Sequence, residues 1–76
     1  MSKLPSVSGR ECVKALQRGG FVILRQSGSH IFMGGPNDST WRTVVPNHNP
    51  IPPGTLRSIL RDLGLTVDEF VELRHK

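Results

Sequence analysis

The stretch FVILRQSGSHIFM, residues 21–33, decides the fold. Phe21, Val22, Ile23 and Leu24 make an apolar, partly β-branched run, Ile31, Phe32 and Met33 make a second, and turn-forming residues separate them, so the segment reads as strand, tight turn, strand. With Ser27 and Gly28 as the central turn residues, Gly28 supplies the positive φ that a two-residue hairpin demands, and its missing side chain lets a phosphate approach the backbone. That register pairs Arg25 with His30, Leu24 with Ile31, Ile23 with Phe32 and Val22 with Met33. It turns Val22, Leu24, Ile31 and Met33 toward a core. Phe21, Ile23, Arg25, His30 and Phe32 remain on the opposite face, which is more apolar than an idle solvent face should be. Two readings stand here: that face binds something, or the register is slipped by one and His30 points inward.

Upstream, Ser8 and Glu11 have capping-box spacing and Val7 and Cys12 the spacing of a hydrophobic staple, which predicts a helix over 9–18 ended by Gly19 and Gly20. Cys12, Val13, Ala15 and Leu16 form its buried stripe. Arg10, Lys14 and Arg18 recur every four residues on another face, either a solvated surface or a ridge that tracks RNA. Downstream, residues 34–40 read as a loop and Trp41 to Val45 as a third strand with Trp41 in the core; Pro46 stops the ladder, and Asn47 to Pro52 form a stiff, irregular connection. Leu56, Ile59, Leu60 and Leu63 predict a helix opened by Pro53 and capped at Gly64. Thr66 and Glu69 repeat the capping box before a short last helix, and residues 1–6 read as a frayed lead. The expected architecture is one domain, 1–76, of α+β class: a three-stranded antiparallel sheet with helices on one face, in the order α-β-β-β-α, plus a short C-terminal helix.

Seventy-six residues hold a modest core with no room for a deep substrate cavity, so chemistry is expected on the surface. Ten Lys and Arg against six Asp and Glu give a formal net charge of +4, which favours a polyanionic partner, nucleic acid being the commonest. The single Cys12 excludes an intramolecular disulfide framework and fits a reducing compartment. No apolar run suffices for a signal sequence or a membrane span, so the expected location is the cytoplasm. Cys12, His30, His48 and His75 lack the paired spacings of zinc sites; no metal or other cofactor is expected.

The run from Arg25 to His30, Val45-Pro46 with His48 shortly after, and GTLRSILR over residues 54–61 together resemble the HicA family of bacterial and archaeal messenger-RNA interferase toxins, across about residues 7 to 72. The resemblance implies a fold like a double-stranded-RNA-binding domain, cleavage of messenger RNA that depends on the histidine matching His30, and a HicB-type antitoxin partner. The chemistry can also be argued directly. RNA carries its own nucleophile, the 2′-hydroxyl, so cleavage needs a base for that proton, an acid for the leaving 5′ oxygen and positive charge for the phosphate. Imidazole, with an ordinary pKa of about 6.5, has both protonation states accessible at neutral pH. His30 is therefore the candidate catalytic residue, and Arg25, Gly28, Ser29 and Arg42 are the candidate RNA contacts. Either one histidine serves both proton steps or a second group helps; His48 is the only other histidine in the body of the chain, and spacing alone does not place it near His30. The alternatives are a non-catalytic RNA-binding module of the same fold and a protein-interaction domain using the apolar face.

Overall fold

The Ser8 hydroxyl accepts from the Glu11 N–H at 3.1 Å while the Glu11 carboxylate accepts from the Ser8 N–H at 2.8 Å, and this reciprocal pair starts helix α1, Gly9–Arg18. The Ser8 backbone N–H, and after it the Ser8 hydroxyl, hold the Glu11 carboxyl below its ordinary range. Thr66 and Glu69 repeat the arrangement at 3.0 and 2.8 Å for helix α3, Val67–Arg74. Between them, helix α2, Pro53–Asp62, opens on a proline whose fixed φ suits the first turn and whose missing N–H would have had no partner there. Gly64, at φ +69°, turns the chain out of α2 toward α3. The computed structural model describes residues 3–36 and 40–76. The part of the predicted loop at Asn37, Asp38 and Ser39, and Met1 and Ser2 of the predicted frayed lead, lie outside the described residues.

Strands β1 (Val22–Ser27), β2 (His30–Gly34) and β3 (Arg42–Pro46) form one antiparallel sheet in that spatial order. The hairpin turn falls one residue later than the sequence suggests. Ser27 pairs with His30, so Gly28 and Ser29 are the central residues, and Gly28 takes φ +57°. Arg25 accordingly faces Phe32 and not His30, Gln26 faces Ile31, and a bulge at Leu24 absorbs a residue so that Ile23 faces Met33 and Val22 faces Gly34. A type II′ hairpin turn takes glycine at its first central position, which favours Gly28-Ser29 over Ser27-Gly28, and the bulge reconciles the later turn with the rest of the ladder.

Along β2 and β3, Ile31, Met33, Thr43 and Val45 are buried and alternate with exposed His30 and Val44 and half-buried Phe32, so the helix-facing side and the open side are clear and His30 lies on the open side. α1 and α2 pack against β3, and β1 has no comparable helix contact. Val22, Ile23 and Leu24 are therefore 47, 44 and 49% exposed, contrary to the expected burial of Val22 and Leu24. Phe21, expected on the open side, is buried just ahead of β1. The core gathers Leu16, Met33, Leu56, Ile59 and Phe70, each burial contributing about 1.5–3 kcal/mol, together with Cys12, whose thiol pKa burial pushes up to about 12.

Three further expectations are corrected. Trp41 is not core: it precedes β3, is 47% exposed, and lays its ring over Gly64, where a Cβ would come within 2.5 Å of the ring. Arg18 is not part of a free basic ridge, because its Nη1 donates to the Leu73 and Arg74 carbonyls at 3.3 and 3.2 Å, at the end of α3 where the regular helical pattern runs out. Leu4 packs against the core, so the N-terminal lead is not frayed throughout.

Candidate functional site

The site begins with the hairpin tip. Gln26 extends its amide from β1 to the Gly28 carbonyl at 3.4 Å, and no atom lies within 4 Å of where a Gly28 Cβ would stand, so the tip is both tied and open to approach. His30 follows as the first residue of β2, exposed and paired with Pro46 of β3. One rung past that pair, the Asn47 N–H donates to the Ser29 carbonyl at 2.7 Å. The next residue, His48, accepts the Gly9 N–H on its carbonyl at 2.8 Å, which satisfies one of the donors left over at the start of α1.

This approach of helix to strand requires glycine. A Cβ at Gly9 would collide with the Pro46 carbonyl oxygen and lie 2.8 Å from the Asn47 Cα. The beginning of α1 thus braces residues 46–48, and residues 46 and 47 in turn brace Ser29 and His30.

Arg25 carries the positive charge on this face. Its guanidinium carbon sits 4.5 Å from the centroid of the Phe32 ring, a cation–π stack that orders a long side chain at low cost. Because Arg25 is cross-strand to Phe32, and Phe32 is two residues from His30 on the same side of β2, the Arg25 rung lies roughly 7 Å from the His30 rung. The structure thus brings Arg25, Gly28, Ser29 and His30 together. Arg42 lies further from His30: it pairs with Gly34 at the far end of β3, roughly 13 Å along the strand from Pro46, its Nη1 donates to the Trp41 carbonyl at 2.9 Å, and it lines a cleft beside α2 together with Arg25.

Sequence reasoning missed Gly9, Asn47 and His48 as members of this corner. The signal was available in part, because an antiparallel third strand ending at Val45-Pro46 has to finish beside the start of the second, and His48 follows two residues later. Beside the cluster a cleft of about 510 Å³ opens between Leu24 and Arg25 on the sheet and Thr55, Ser58 and Asp62 on α2, where the Thr43 hydroxyl donates to the Asp62 carboxylate at 3.1 Å. Among the described residues no helix is long and apolar enough to cross a membrane.

A family model described as HicA toxin of bacterial toxin–antitoxin matches residues 9–65 of the 76, a span that takes in α1, the whole sheet, α2 and the Gly64 turn. No curated protein sequence matches the chain significantly.

Proposed function

We propose, from the premise that the chain belongs to the HicA toxin family and therefore works against an antitoxin partner, that it is a metal-independent endoribonuclease cutting messenger RNA at the His30 corner. The observation that carries this reading is an exposed imidazole at the base of an unobstructed glycine turn, with the Arg25 guanidinium on the same sheet face. His30 accepts the proton of the ribose 2′-hydroxyl as that oxygen attacks phosphorus. The 5′ oxygen departs with a proton, leaving a 2′,3′-cyclic phosphate on one product and a 5′-hydroxyl on the other. Arg25 stabilises the charge that accumulates on the phosphate, and the tip at Gly28 and Ser29 lets the backbone come close to it. The nucleophile belongs to the substrate, so its attack is effectively unimolecular and suits a small open site.

The partner in this reading is a HicB-type antitoxin that covers the same corner, and the setting is the cytoplasm, where messenger RNA is found. The three exposed apolar side chains of β1 favour a protein contact as well, which is compatible with antitoxin docking and does not compete with catalysis.

The test compares wild type with His30→Ala on RNA in the presence of EDTA, with circular dichroism and the thermal midpoint as controls for folding. The expected result is cleavage by wild type only, cyclic-phosphate ends, and resistance of substrates with a 2′-deoxy or 2′-O-methyl sugar at the cut. A folded His30→Ala variant cleaving at the wild-type rate would sink the proposal. So would 5′-phosphate ends that appear only with added Mg²⁺.

A further inference from the structure

Transfer of the 2′ proton to His30 leaves the departing 5′ oxygen without an assigned proton donor. An alkoxide is a poor leaving group, so the 5′ oxygen needs a proton as its bond to phosphorus breaks, and a base that has just taken the 2′ proton is on the wrong side of an in-line displacement to give it. We infer that His48 is the general acid of the reaction, donating to the 5′ oxygen from the opposite side of the phosphate. The inference rests on the ribonuclease reading above.

The geometry comes from the ladder. His30 is paired with Pro46, and the 2.7 Å bond from the Asn47 N–H to the Ser29 carbonyl carries the strand pairing one rung further. His30 follows Ser29 and His48 follows Asn47 in chains that run antiparallel, so the two histidines flank the Ser29–Asn47 bond from opposite sides. One residue rise past the bonded pair in each direction and one spacing across put the two Cα atoms about 8 Å apart. Both residues are exposed. Gly28, next to Ser29, has nothing within 4 Å of its Cβ position apart from its chain neighbours, which leaves room for a phosphate at this tip. His48 is also held in place by its main chain, through its carbonyl and the Gly9 N–H at 2.8 Å, so its side chain has no structural bond to serve.

The step balances. Neutral His30 takes the 2′ proton as the 2′ O–P bond forms; protonated His48 gives its proton to the 5′ oxygen as the P–O5′ bond breaks. The products are the cyclic phosphate and the 5′-hydroxyl, with His30 left protonated and His48 neutral. Exchange with water restores both.

The test takes an oligoribonucleotide that wild type cuts and resynthesises it with sulfur in place of the bridging 5′ oxygen, since a thiolate leaves without being protonated. His48→Ala should cut the oxygen substrate at least ~100-fold more slowly than wild type, the lower end of what a general acid supplies, and the sulfur substrate within about tenfold of wild type. His30→Ala should be slow on both. Because the Gly9 bond is to the main chain, His48→Ala keeps it, and an unchanged thermal midpoint confirms that the fold is intact. A His48→Ala variant matching wild type on the oxygen substrate, or a deficit that persists undiminished with sulfur, overturns the inference and leaves the ribonuclease reading standing. If wild type cuts no RNA from which such a substrate can be taken, both readings fall.

Discussion

Gly9 and Gly54 both occupy the first turn of a helix, and the same substitution should move stability in opposite directions at the two sites. Replacing Gly54 by Ala adds a methyl where nothing lies within 4 Å, so the only effect is a smaller conformational entropy of the unfolded chain, a gain of about 0.4–1 kcal/mol. Replacing Gly9 by Ala brings a similar propensity gain, but the new methyl meets the Pro46 carbonyl oxygen and the Asn47 Cα, both backbone atoms that no rotamer change can move. Overpacking of that kind costs about 1–3 kcal/mol. The alternative is for α1 to back away from β3, which gives up the Gly9–His48 hydrogen bond, worth about 1 kcal/mol. Set against the propensity gain, the net expectation is a loss of about 1–2 kcal/mol. For a domain of this size each kcal/mol lowers the thermal midpoint by about 4–8 °C, so Gly9→Ala should melt on the order of 10 °C below wild type while Gly54→Ala melts a few degrees above it. Urea titrations should move the midpoint in the same directions with an unchanged slope. Gly9→Ala as stable as wild type would refute the reasoning and with it the brace between α1 and the end of β3.

At Gly28 the φ of +57° acts without any crowding, so Gly28→Ala should cost about 1–2 kcal/mol in unfolding experiments, Gly28→Val more, and Gly28→Asn little; equal costs for Val and Asn would remove the turn argument. In a non-cleaving His30→Ala background, Arg25→Gln should flatten the salt dependence of single-stranded RNA binding by about 0.7, the loss of one phosphate contact, whereas Arg10→Gln should leave the slope alone, and the reverse pattern would move the RNA to the helical side. Burial raises the Cys12 thiol from 9.0 to about 12, so above pH 9 the unfolded chain releases a proton that the folded chain keeps; stability should be unaffected by this group below pH 9 and decline between pH 9 and 12, and Cys12→Ala should lose that part of the decline.

The helices were the most legible part of the sequence because their starts are encoded within four residues. Ser8 with Glu11 and Thr66 with Glu69 each close a reciprocal cap, and both helices begin where those pairs place them. β1 was much harder to read. Its faces depend on which residue of Ser27-Gly28-Ser29 opens the turn and on a bulge at Leu24, and both are set by pairing with a distant segment. Its cover was misread for the same kind of reason: an apolar run implies burial only if some element lies over it, and here α1 and α2 sit over β3. Arg18 shows the limit on the helix side, since a charge at helical spacing reads as solvated until a second helix end arrives 55 residues later to use it. In the candidate site, Arg25, Gly28, Ser29 and His30 were recognisable as one local run, while Arg42, grouped with them by sharing a sheet, sits at the opposite end of β3 from His30 and joins Arg25 only along the cleft beside α2.

The indole that rests over Gly64 also makes the molecule its own optical instrument. Trp41 is the single tryptophan in the chain, so intrinsic emission has one source, and that source is lodged against the joint between α2 and α3 instead of the hairpin tip. Fluorescence will therefore register the parting of the C-terminal helices and stay nearly silent about rearrangement at the opposite end of β3, where His30 and His48 lie. A binding titration followed by tryptophan signal alone would under-report RNA at the corner, and a label near Gly28 would be the better reporter there. Read together, the two signals would tell whether the far ends of the sheet come apart in one event or in two.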